Sequence, residues 1–480
     1  MIKKKCRLCS SNKLKIFLDL GNQPPSDQFI KLEKISEETI FYPLKVATCM
    51  TCGFKQLNYV VNPKVLYQDD YPYESSTTKA GSLHFDKFAE TAVKEFNFPK
   101  SSTVLDIGSN VGVLLSSFKK RGLKVMLGLW VQHERHGFDY DNKIKVKAQL
   151  DNFRKEVNKY KNHPSLLVWG IGNEYELNYT NTKVWAAVND IAKMIHEEDL
   201  NHPTSTVTAG TSADKLKFVM EQLPEIDIYG INTYADVSNV KTVLKKGGFE
   251  KPYMITEWGP TGHWECAKTR WSSSVEQTST EKAESYLSRF NDAINSQRDQ
   301  CIGSFAFLWG QKQEYTSTWY GLFTDKGMPT EAIDELQYCW SGNYPENRSP
   351  RIDSVLFNGN KVFLNSISNA GEKNIVKLFA SDPNEDKLNY NWELYPESSD
   401  LKTGGDAEDK PPMITGKIKG GKTPSITMKS PMNEGRYRLF VFVNDGEKTA
   451  YMNIPFYVQS SLEMKLSRIR FKTQELEEYE

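Results

Sequence analysis

The middle of the chain alternates short apolar runs with longer segments in which apolar residues recur every three or four positions. The short runs predict buried strands, and the three- or four-residue spacing predicts helices with one buried face. Six strands alternating with helices predict a parallel sheet in the form of an incomplete eight-stranded barrel. The predicted helix faces lie at 150–160, 184–195 and 283–294, and the predicted strands at 125–131, 166–170, 204–208, 226–234, 253–257 and 303–309.

The chain before residue 125 has a different pattern. A strand-like stretch at 42–47 is followed by an amphipathic helical segment at 82–96 and by a strand at 103–107. That strand runs into the glycine turn 108–112 and a second helix. A strand, a glycine turn and a helix N-terminus form the layout that accepts a nucleotide or nucleoside, although one such turn alone is a weak signal.

The C-terminal part follows a linker at 347–350, after which polar and apolar positions alternate with a period of two. This alternation, with turn residues between the stretches, predicts a small antiparallel β-sandwich. Residues 461–480 are charged and are predicted to form a helical tail. The whole chain is therefore predicted to be a multidomain α/β protein. The sandwich strands are predicted at 374–380, 388–394, 437–444 and 449–458.

The composition narrows the classes of function. Lys plus Arg and Asp plus Glu both number 61, so no net charge favours a nucleic acid or an anionic membrane as partner. No apolar run approaches the about 20 residues of a membrane span, and no apolar stretch follows the basic N-terminus, so we expect a cytoplasmic protein without a secretory signal. The aromatic fraction of 12% suits surfaces on which sugars stack. Nothing in the sequence indicates an oligomeric state.

Four of the seven cysteines form two CxxC pairs, Cys6 with Cys9 and Cys49 with Cys52. Two complete pairs predict a tetrahedral zinc site in which four thiolates fill every coordination position, so the zinc would be structural. An odd cysteine count with this spacing argues against a disulfide framework and for a reducing compartment. The alternatives are a redox CxxC or two unrelated surface motifs.

Two glutamates directly follow or end buried strands in the predicted barrel. Glu174 ends the run HPSLLVWGIGNE, and Glu257 ends the run YMITE. A parallel barrel carries its chemistry at the carboxyl ends of its strands, and glycoside cleavage needs two facing carboxyls, one as acid and one as nucleophile. Either glutamate alone would ordinarily be a solvated loop residue, but the pair predicts a glycosidase. His133, near the end of strand 125–131, is a candidate substrate contact.

The barrel region contains the segments GLWVQHERHGFDY, YKNHPSLLVWGIGNE, DIYGINTY, KPYMITEWGP and FAFLWGQKQEYTSTWYGLF. These segments resemble the TIM-type catalytic domain of glycoside hydrolase family 2 and its clan relatives. This resemblance implies a retaining β-glycosidase for a β-linked glycan or oligosaccharide, with Glu174 as acid/base and Glu257 as nucleophile. It further implies that Asn173 binds the sugar 2-hydroxyl and that Tyr234 hydrogen-bonds the nucleophile. It also implies that the ring of Trp309 forms the floor of the sugar site. Taken singly, the two aromatic residues are equally consistent with a core position.

A second resemblance covers residues 5–125. CRLC, LDLGNQPPSDQF, YPLKVATCMTCG and VLDIGSNVGVLL are similar to the zinc-binding and motif I segments of sugar-nucleotide C-methyltransferases. The resemblance implies a truncated, partly Rossmann-like unit with Asp106, Gly108 and Asn110 at an S-adenosylmethionine (SAM) site. It then stops, and the acidic residue that should end the next strand and bind the ribose is absent. A complete methyltransferase is therefore not expected, and a fragment with structural zinc is the alternative function.

The two resemblances meet at residues 120–125, a segment that suits either family. A family 2 barrel would carry two further strands before this point, the second ending in an arginine that helps to position the nucleophile, and the sequence shows neither. We hypothesise a chimera joined here, in which strand 103–107 and its helix serve as a substitute βα unit. An incomplete barrel also admits a third function, an inactive carbohydrate-binding fusion.

The C-terminal segments ASDPNEDKLNYNWEL and VNDGEKTA resemble Ig-like modules of polycystic-kidney-disease type, which accompany secreted carbohydrate enzymes. The resemblances of the barrel and of the sandwich therefore leave export as the alternative to a cytoplasmic location. The turn acids Asp382, Asp386 and Asp445 of the C-terminal segments are calcium candidates, although such acids are usually only solvated. The chain is thus predicted to comprise five parts. They are a zinc-binding domain of methyltransferase type (1–75), a truncated SAM-binding-like unit (76–124), a glycoside hydrolase barrel (125–345), an Ig-like sandwich (350–460) and a helical tail (461–480).

Overall fold

The structure, a computed structural model, divides into two compact units, Met1–Lys124 and Val125–Glu480. None of the helices in its described part is long and apolar enough to cross a bilayer. The predicted glycine turn at 108–112 and the predicted tail at 461–480 lie outside the described residues. The described residues are 4–7, 9, 11–24, 40–61, 79–95, 103–106, 117, 122, 124–361 and 365–460.

The first unit contains a small antiparallel sheet. Its strands are β1 (Leu14–Gln23), β2 (Tyr42–Cys49) and β3 (Lys55–Leu57), hydrogen-bonded in that order. The helix α1 (Lys79–Glu95) and the short strand β4 (Thr103–Asp106) follow. Both elements lie where the sequence predicts them, because an amphipathic helix face and a short apolar run are local signals.

The second unit begins with six parallel strands, each hydrogen-bonded to the next in sequence. Strands of a parallel sheet are covered on both faces, so they read as continuous apolar runs, and the last but one is buried at all six positions. No strand within the described residues 125–460 joins the last of them to the first, so the predicted incomplete barrel is confirmed. The strands are β5 (Lys124–Leu129), β6 (Leu166–Asn173), β7 (Thr204–Ala209), β8 (Ile228–Asn232), β9 (Tyr253–Trp258) and β10 (Cys301–Ala306).

Helices connect these strands and cover the sheet. Two begin at side-chain caps: Asn142 accepts hydrogen bonds from the N–H groups of the first turn, and Thr278 forms a capping box with Glu281. Three of the helices were predicted from their apolar faces. The other three, of 10, 7 and 11 residues, were not predicted from the sequence. The helices are α2 (Lys143–Tyr160), α3 (Lys183–Glu198), α4 (Ala213–Gln222), α5 (Val240–Lys246), α6 (Ser279–Arg289) and α7 (Glu331–Ser341).

The strands of the C-terminal region are β11 (Arg351–Phe357), β12 (Asn360–Lys361), β13 (Ser366–Asn369), β14 (Lys373–Ser381), β15 (Asn389–Pro396), β16 (Ile418–Lys419), β17 (Ser425–Lys429), β18 (Gly435–Asn444) and β19 (Thr449–Gln459). They form two sheets, ordered β12–β11–β14–β17–β16 and β13–β19–β18–β15. Apolar side chains from both sheets share one core, so the predicted sandwich is present. Its Ig-like identity and the domain boundaries proposed above stay predictions.

Buried polar side chains join the sandwich to the barrel. Lys282 on α6 forms an ion pair with Glu276, and the two side chains are 4% and 0% exposed. Asn453 on β19 donates to Glu276 at 2.6 Å. Arg438 on β18 donates to Asn453 at 2.6 Å and to the carbonyl of Ser274 at 2.9 Å. Because these groups satisfy one another away from water, the sandwich and the barrel are held in one fixed arrangement.

Candidate active site

Polar side chains meet at the carboxyl ends of β6, β8 and β9. Asn173 is the last residue of β6, and Glu174 follows it. Asn232, the last residue of β8, donates from Nδ2 to Asn173 Oδ1 at 3.0 Å and to Glu174 Oε1 at 2.9 Å. Its Oδ1 accepts a hydrogen bond from Thr256 Oγ1 at 2.8 Å, which fixes the orientation of the amide. The end of β8 therefore holds the predicted acid/base in place.

The backbone at Glu174 has an uncommon conformation. Its φ of 48° lies in the left-handed region, which glutamate rarely adopts. Gly172, two residues earlier, has a φ of 69°, and a Cβ there would lie 2.7 Å from the ring of Tyr175. The N–H of Glu174 donates to the carbonyl of Val207 on β7 at 3.0 Å. Residues held in such conformations by their surroundings cluster at functional sites.

Glu257 lies near the end of β9 and is 9% exposed. Tyr234, two residues beyond β8, donates its hydroxyl to Glu257 Oε2 at 3.2 Å. Tyr234 is itself buried in an aromatic cluster with Tyr315, Trp319 and Tyr320. These buried rings therefore fix the position of the hydroxyl that contacts the predicted nucleophile.

Burial raises the pKa of both carboxyl groups. For Glu257, burial and then the charge of Glu174 raise the pKa to about 8, against the hydrogen bond from Tyr234 and the charge of Lys312. Burial also raises the pKa of Glu174, and the hydrogen bond from Asn232 opposes it. The charge of one ionised carboxyl group disfavours ionisation of the other, so the pair loses its two protons in two steps and passes through a state with one proton. One acid and one carboxylate is the pair that glycoside cleavage requires.

Three cations lie near the two carboxyl groups, and their charges oppose the effect of burial on the carboxyl pKa values. Each cation is itself paired with a further carboxylate. The surroundings of the two central carboxyl groups are therefore close to neutral in sum. The pairs are Arg135 with Asp406 at 3.2 Å, Lys215 with Glu176 at 2.9 Å and Lys312 with Glu314 at 2.8 Å.

The two remaining predicted substrate contacts lie in loops. Trp309 follows β10, is 37% exposed and packs edge-on against Phe323, with ring centroids 5.3 Å apart. It lies beyond the strand, because β10 ends before the predicted limit of 309. His133 is buried and stacks between Trp130 and His136, at centroid distances of 5.0 and 5.1 Å. Burial lowers its pKa to about 4, so the ring is neutral at neutral pH.

The sequence analysis missed Asn232, Lys312 and Glu314. The signal for Asn232 is its position at the end of a buried strand, two residues before Tyr234. Lys312 and Glu314 lie in an irregular loop between β10 and α7, where no periodicity marks them. Only the tertiary contacts identify these two.

The four paired cysteines converge in the first unit. The Sγ atoms of Cys6 and Cys52 lie 3.6 Å apart and those of Cys9 and Cys49 3.5 Å apart. All four Sγ atoms lie within 4.8 Å of one another. Thiolates on a tetrahedral ion with Zn–S bonds of about 2.3 Å lie roughly 3.8 Å apart, so the four residues fit a zinc ion.

The predicted SAM residues are only partly within the described residues. Gly108 and Asn110 lie outside them, and Asp106 is the last residue of β4. This set therefore stays a prediction. The calcium candidates in the sandwich place one carboxylate oxygen each within 4.8 Å of one another, at Asp382, Asp386 and Asp445. Exposed turn acids often cluster in this way without an ion, so this prediction also stays open.

Two family models match the chain. The TIM barrel domain of glycosyl hydrolases family 2 matches residues 85–343, more than half of the 480 residues. A zinc binding domain of methyltransferase type 13 matches residues 6–67. Among curated proteins, the C-methyltransferase NovU of Streptomyces niveus is 26% identical over 121 residues, which are 25% of this chain and 29% of the relative. The chain spans less than a third of the length of that relative.

Solved structures of glycosidases are similar to the chain. The endo-β-1,4-mannanase from Thermotoga petrophila has a TM-score of 0.38 and 11% identity, over 81% of this chain and 97% of its own. The β-glucuronidase of Parabacteroides merdae has a TM-score of 0.38 and 12% identity, over 79% of this chain and 47% of its own. The chain thus spans about half the length of the second protein.

Proposed function

The chain belongs to family 2 of the glycosyl hydrolases, and from this premise we propose that it is a retaining β-glycosidase. Its substrate is a β-linked glycan or oligosaccharide, in which it hydrolyses an O-glycosidic bond. The observation that carries this proposal is the pair Glu174 and Glu257, which lie at the carboxyl ends of β6 and β9 on the same edge of the parallel sheet. One carboxyl is held by Asn232 and the other by Tyr234.

In the proposed reaction, protonated Glu174 donates its proton to the leaving oxygen while ionised Glu257 attacks the anomeric carbon. Water then hydrolyses the glycosyl-enzyme, with Glu174 acting as base. The hydroxyl of Tyr234 favours the ionised form of Glu257, because a hydrogen bond to a carboxylate stabilises its charge. We expect the two carboxyl groups about 5 to 5.5 Å apart in the complex, as retention requires.

We propose two further contacts with the sugar and a supporting role for His133. Asn173 holds the 2-hydroxyl, because its amide lies beside Glu174 and shares the donor Asn232. Trp309 forms an aromatic floor for the sugar, supported by its exposed ring in the loop after β10. His133 is buried, so its role is to support the neighbouring rings that face the substrate.

The test is hydrolysis of a panel of aryl β-glycosides by the wild type and by Glu257→Ala, with Glu221→Ala on the surface of α4 as matched control. We expect turnover by the wild type and the control, and a loss of at least about a thousandfold in Glu257→Ala. Folded wild-type protein without turnover on any sugar would contradict the proposal and favour an inactive carbohydrate-binding fusion.

The acid role of Glu174 has its own test. Glu174→Ala should retain more activity on substrates with good leaving groups, such as dinitrophenyl glycosides, than on alkyl glycosides, since a good leaving group needs little protonation. Equal losses on both substrates would remove the acid role from Glu174 and leave the rest of the proposal standing.

We also propose that Cys6, Cys9, Cys49 and Cys52 hold one structural zinc ion. The convergence of four sulfur atoms supports this, and a closed site of four thiolates leaves no position for a substrate. We propose a cytoplasmic location as well, because paired thiols of this kind stay reduced there.

A further inference from the structure

A loop of the sandwich lies against the end of the barrel that carries the two carboxyl groups. This rim loop comprises residues 400–410, between β15 and β16. Arg135, in the loop after β5, donates from Nη1 to the carbonyl of Thr403 at 2.8 Å. Lys312, in the loop after β10, donates to the carbonyl of Gly405 at 2.8 Å. Since no described strand of residues 125–460 joins β10 to β5, the rim loop bridges the loops on the two sides of that gap.

Two glycines allow this close approach. Gly404 and Gly405 have φ values of 64° and 71°, which other residues rarely adopt. A Cβ on Gly404 would lie 2.7 Å from Leu177, three residues after Glu174, and 2.8 Å from Arg135. The rim loop is therefore seated directly against the turn that carries the predicted acid/base.

Asp406, in the rim loop, pairs with Arg135, one of the cations whose charge acts on Glu174. Its Oδ2 accepts from Arg135 Nη1 at 3.2 Å and lies 3.3 Å from Nε2 of His136. Arg135 also donates from Nε to Nδ1 of His133 at 3.0 Å, and its side chain is only 11% exposed. The guanidinium is thus engaged on both edges, and Asp406 supplies its counter-charge.

The other two cations near the carboxyl pair are also paired with carboxylates. Lys215 pairs with Glu176 at 2.9 Å and Lys312 with Glu314 at 2.8 Å. A carboxylate on a sugar needs an uncommitted cation, because burying an unpaired charge costs several kcal/mol. Of the three cations, Arg135 is the one whose counter-charge comes from outside the barrel.

We propose that Asp406 determines the substrate class of this site, by neutralising Arg135 so that the site accepts a neutral sugar and rejects a uronic acid. This inference rests on the proposed glycosidase function and assigns a part of the active site to the sandwich. Asp406 is thus a specificity-determining residue, supplied by a loop 271 residues away from Arg135 in sequence.

The experiment compares kcat/KM for matched aryl pairs, β-glucoside with β-glucuronide and β-galactoside with β-galacturonide. We expect the wild type to prefer the neutral member, and Asp406→Asn to shift the ratio at least about tenfold toward the uronide. Asp406→Glu should keep the wild-type ratio. Asp409→Asn, an exposed acid of the same loop, makes the same charge change away from Arg135 and should also leave the ratio unchanged. Thermal melting of each variant reports on folding.

Binding gives a readout that does not depend on turnover. Calorimetry would measure 1-deoxynojirimycin and its 6-carboxylate analogue on the same four proteins, with the same shift expected for Asp406→Asn. A wild type that prefers the uronide or the carboxylate, or an Asp406→Asn ratio equal to that of the wild type, would overturn the inference. So would a failure of every protein to bind either compound. A wild type without turnover whose binding ratio shifts as expected would contradict the proposed function alone.

Discussion

Asn232 Nδ2 lies 2.9 Å from Glu174 Oε1, and this one hydrogen bond joins the ends of two strands that are not neighbours in the sheet. In the ladder between β8 and β9, Asn232 is paired with Glu257. Asn232 therefore contacts one carboxyl group directly and lies opposite the residue that carries the other in the strand register. Its orientation is fixed by Thr256, so the position of Glu174 depends on β8 and β9 together.

Asn232→Ala should lower kcat/KM about 10- to 100-fold, because a hydrogen bond to a charged group contributes about 1.5 to 3 kcal/mol. The pKa of Glu174 should rise further, since the hydrogen bond that opposes the effect of burial is lost. Steady-state kinetics over a pH series would measure both effects. Asn158→Ala, on the exposed side of α2, is the control, and equal kinetics of the two variants would contradict a role for Asn232.

The pH dependence of the activity should report on Tyr234. The carboxyl pair is active with one proton shared between Glu174 and Glu257. The pKa of about 8 for Glu257, raised by burial and by the charge of Glu174, reports the loss of this last proton from the pair, so activity should fall above about pH 8. Tyr234→Phe removes a hydrogen-bond donor that lowers the pKa of Glu257. The alkaline limb of the pH–activity profile should therefore move up by about one pH unit, and the maximal activity should fall. Tyr315→Phe is the control, since the hydroxyl of Tyr315 accepts from the N–H of Ser274 instead. An alkaline limb at the same pH in Tyr234→Phe and in the wild type would contradict this role of Tyr234.

The buried ion pair between Lys282 and Glu276 should be important for stability. Lys282→Met leaves Glu276 buried without its counter-charge and should reduce the free energy of unfolding by about 3 to 5 kcal/mol. The double variant Lys282→Met with Glu276→Gln should recover much of that loss. The control is Lys147→Met, which breaks an exposed pair with Asp151 and should cost under about 1 kcal/mol. Urea unfolding would measure all three, and similar losses for both single variants would refute the prediction.

Removal of zinc should affect the cysteine site and leave the barrel unchanged. Chelation should speed amide hydrogen exchange in the described residues 40–61 while glycosidase activity stays constant, since the four thiolates are a structural site. Purified protein should contain one zinc ion per chain, which Cys49→Ser should lose and Cys266→Ser should keep. Protein purified without zinc would contradict the site, and a loss of activity on chelation would show that the first unit supports the barrel.

Local patterns in the sequence were sufficient to predict the elements that carry the site. The two strands that lead to Glu174 and Glu257 are short, mostly apolar runs, and the positions of both glutamates can be read directly from where each run stops. The CxxC spacing likewise brought Cys6, Cys9, Cys49 and Cys52 into one group before any fold was known. These signals are local, because burial on a strand and ligand spacing on a turn depend on residues a few positions apart.

The tertiary structure alone decided what surrounds the two carboxyl groups. Asn232 reaches Glu174 across 58 residues of sequence, and Asp406 reaches Arg135 across 271. Such contacts depend on how β8 lies beside its neighbours and on where the sandwich packs, and no periodic pattern records either. The sequence by itself determined which residues could do the chemistry. The packing of distant elements determined their protonation, their orientation and the charge that a substrate meets.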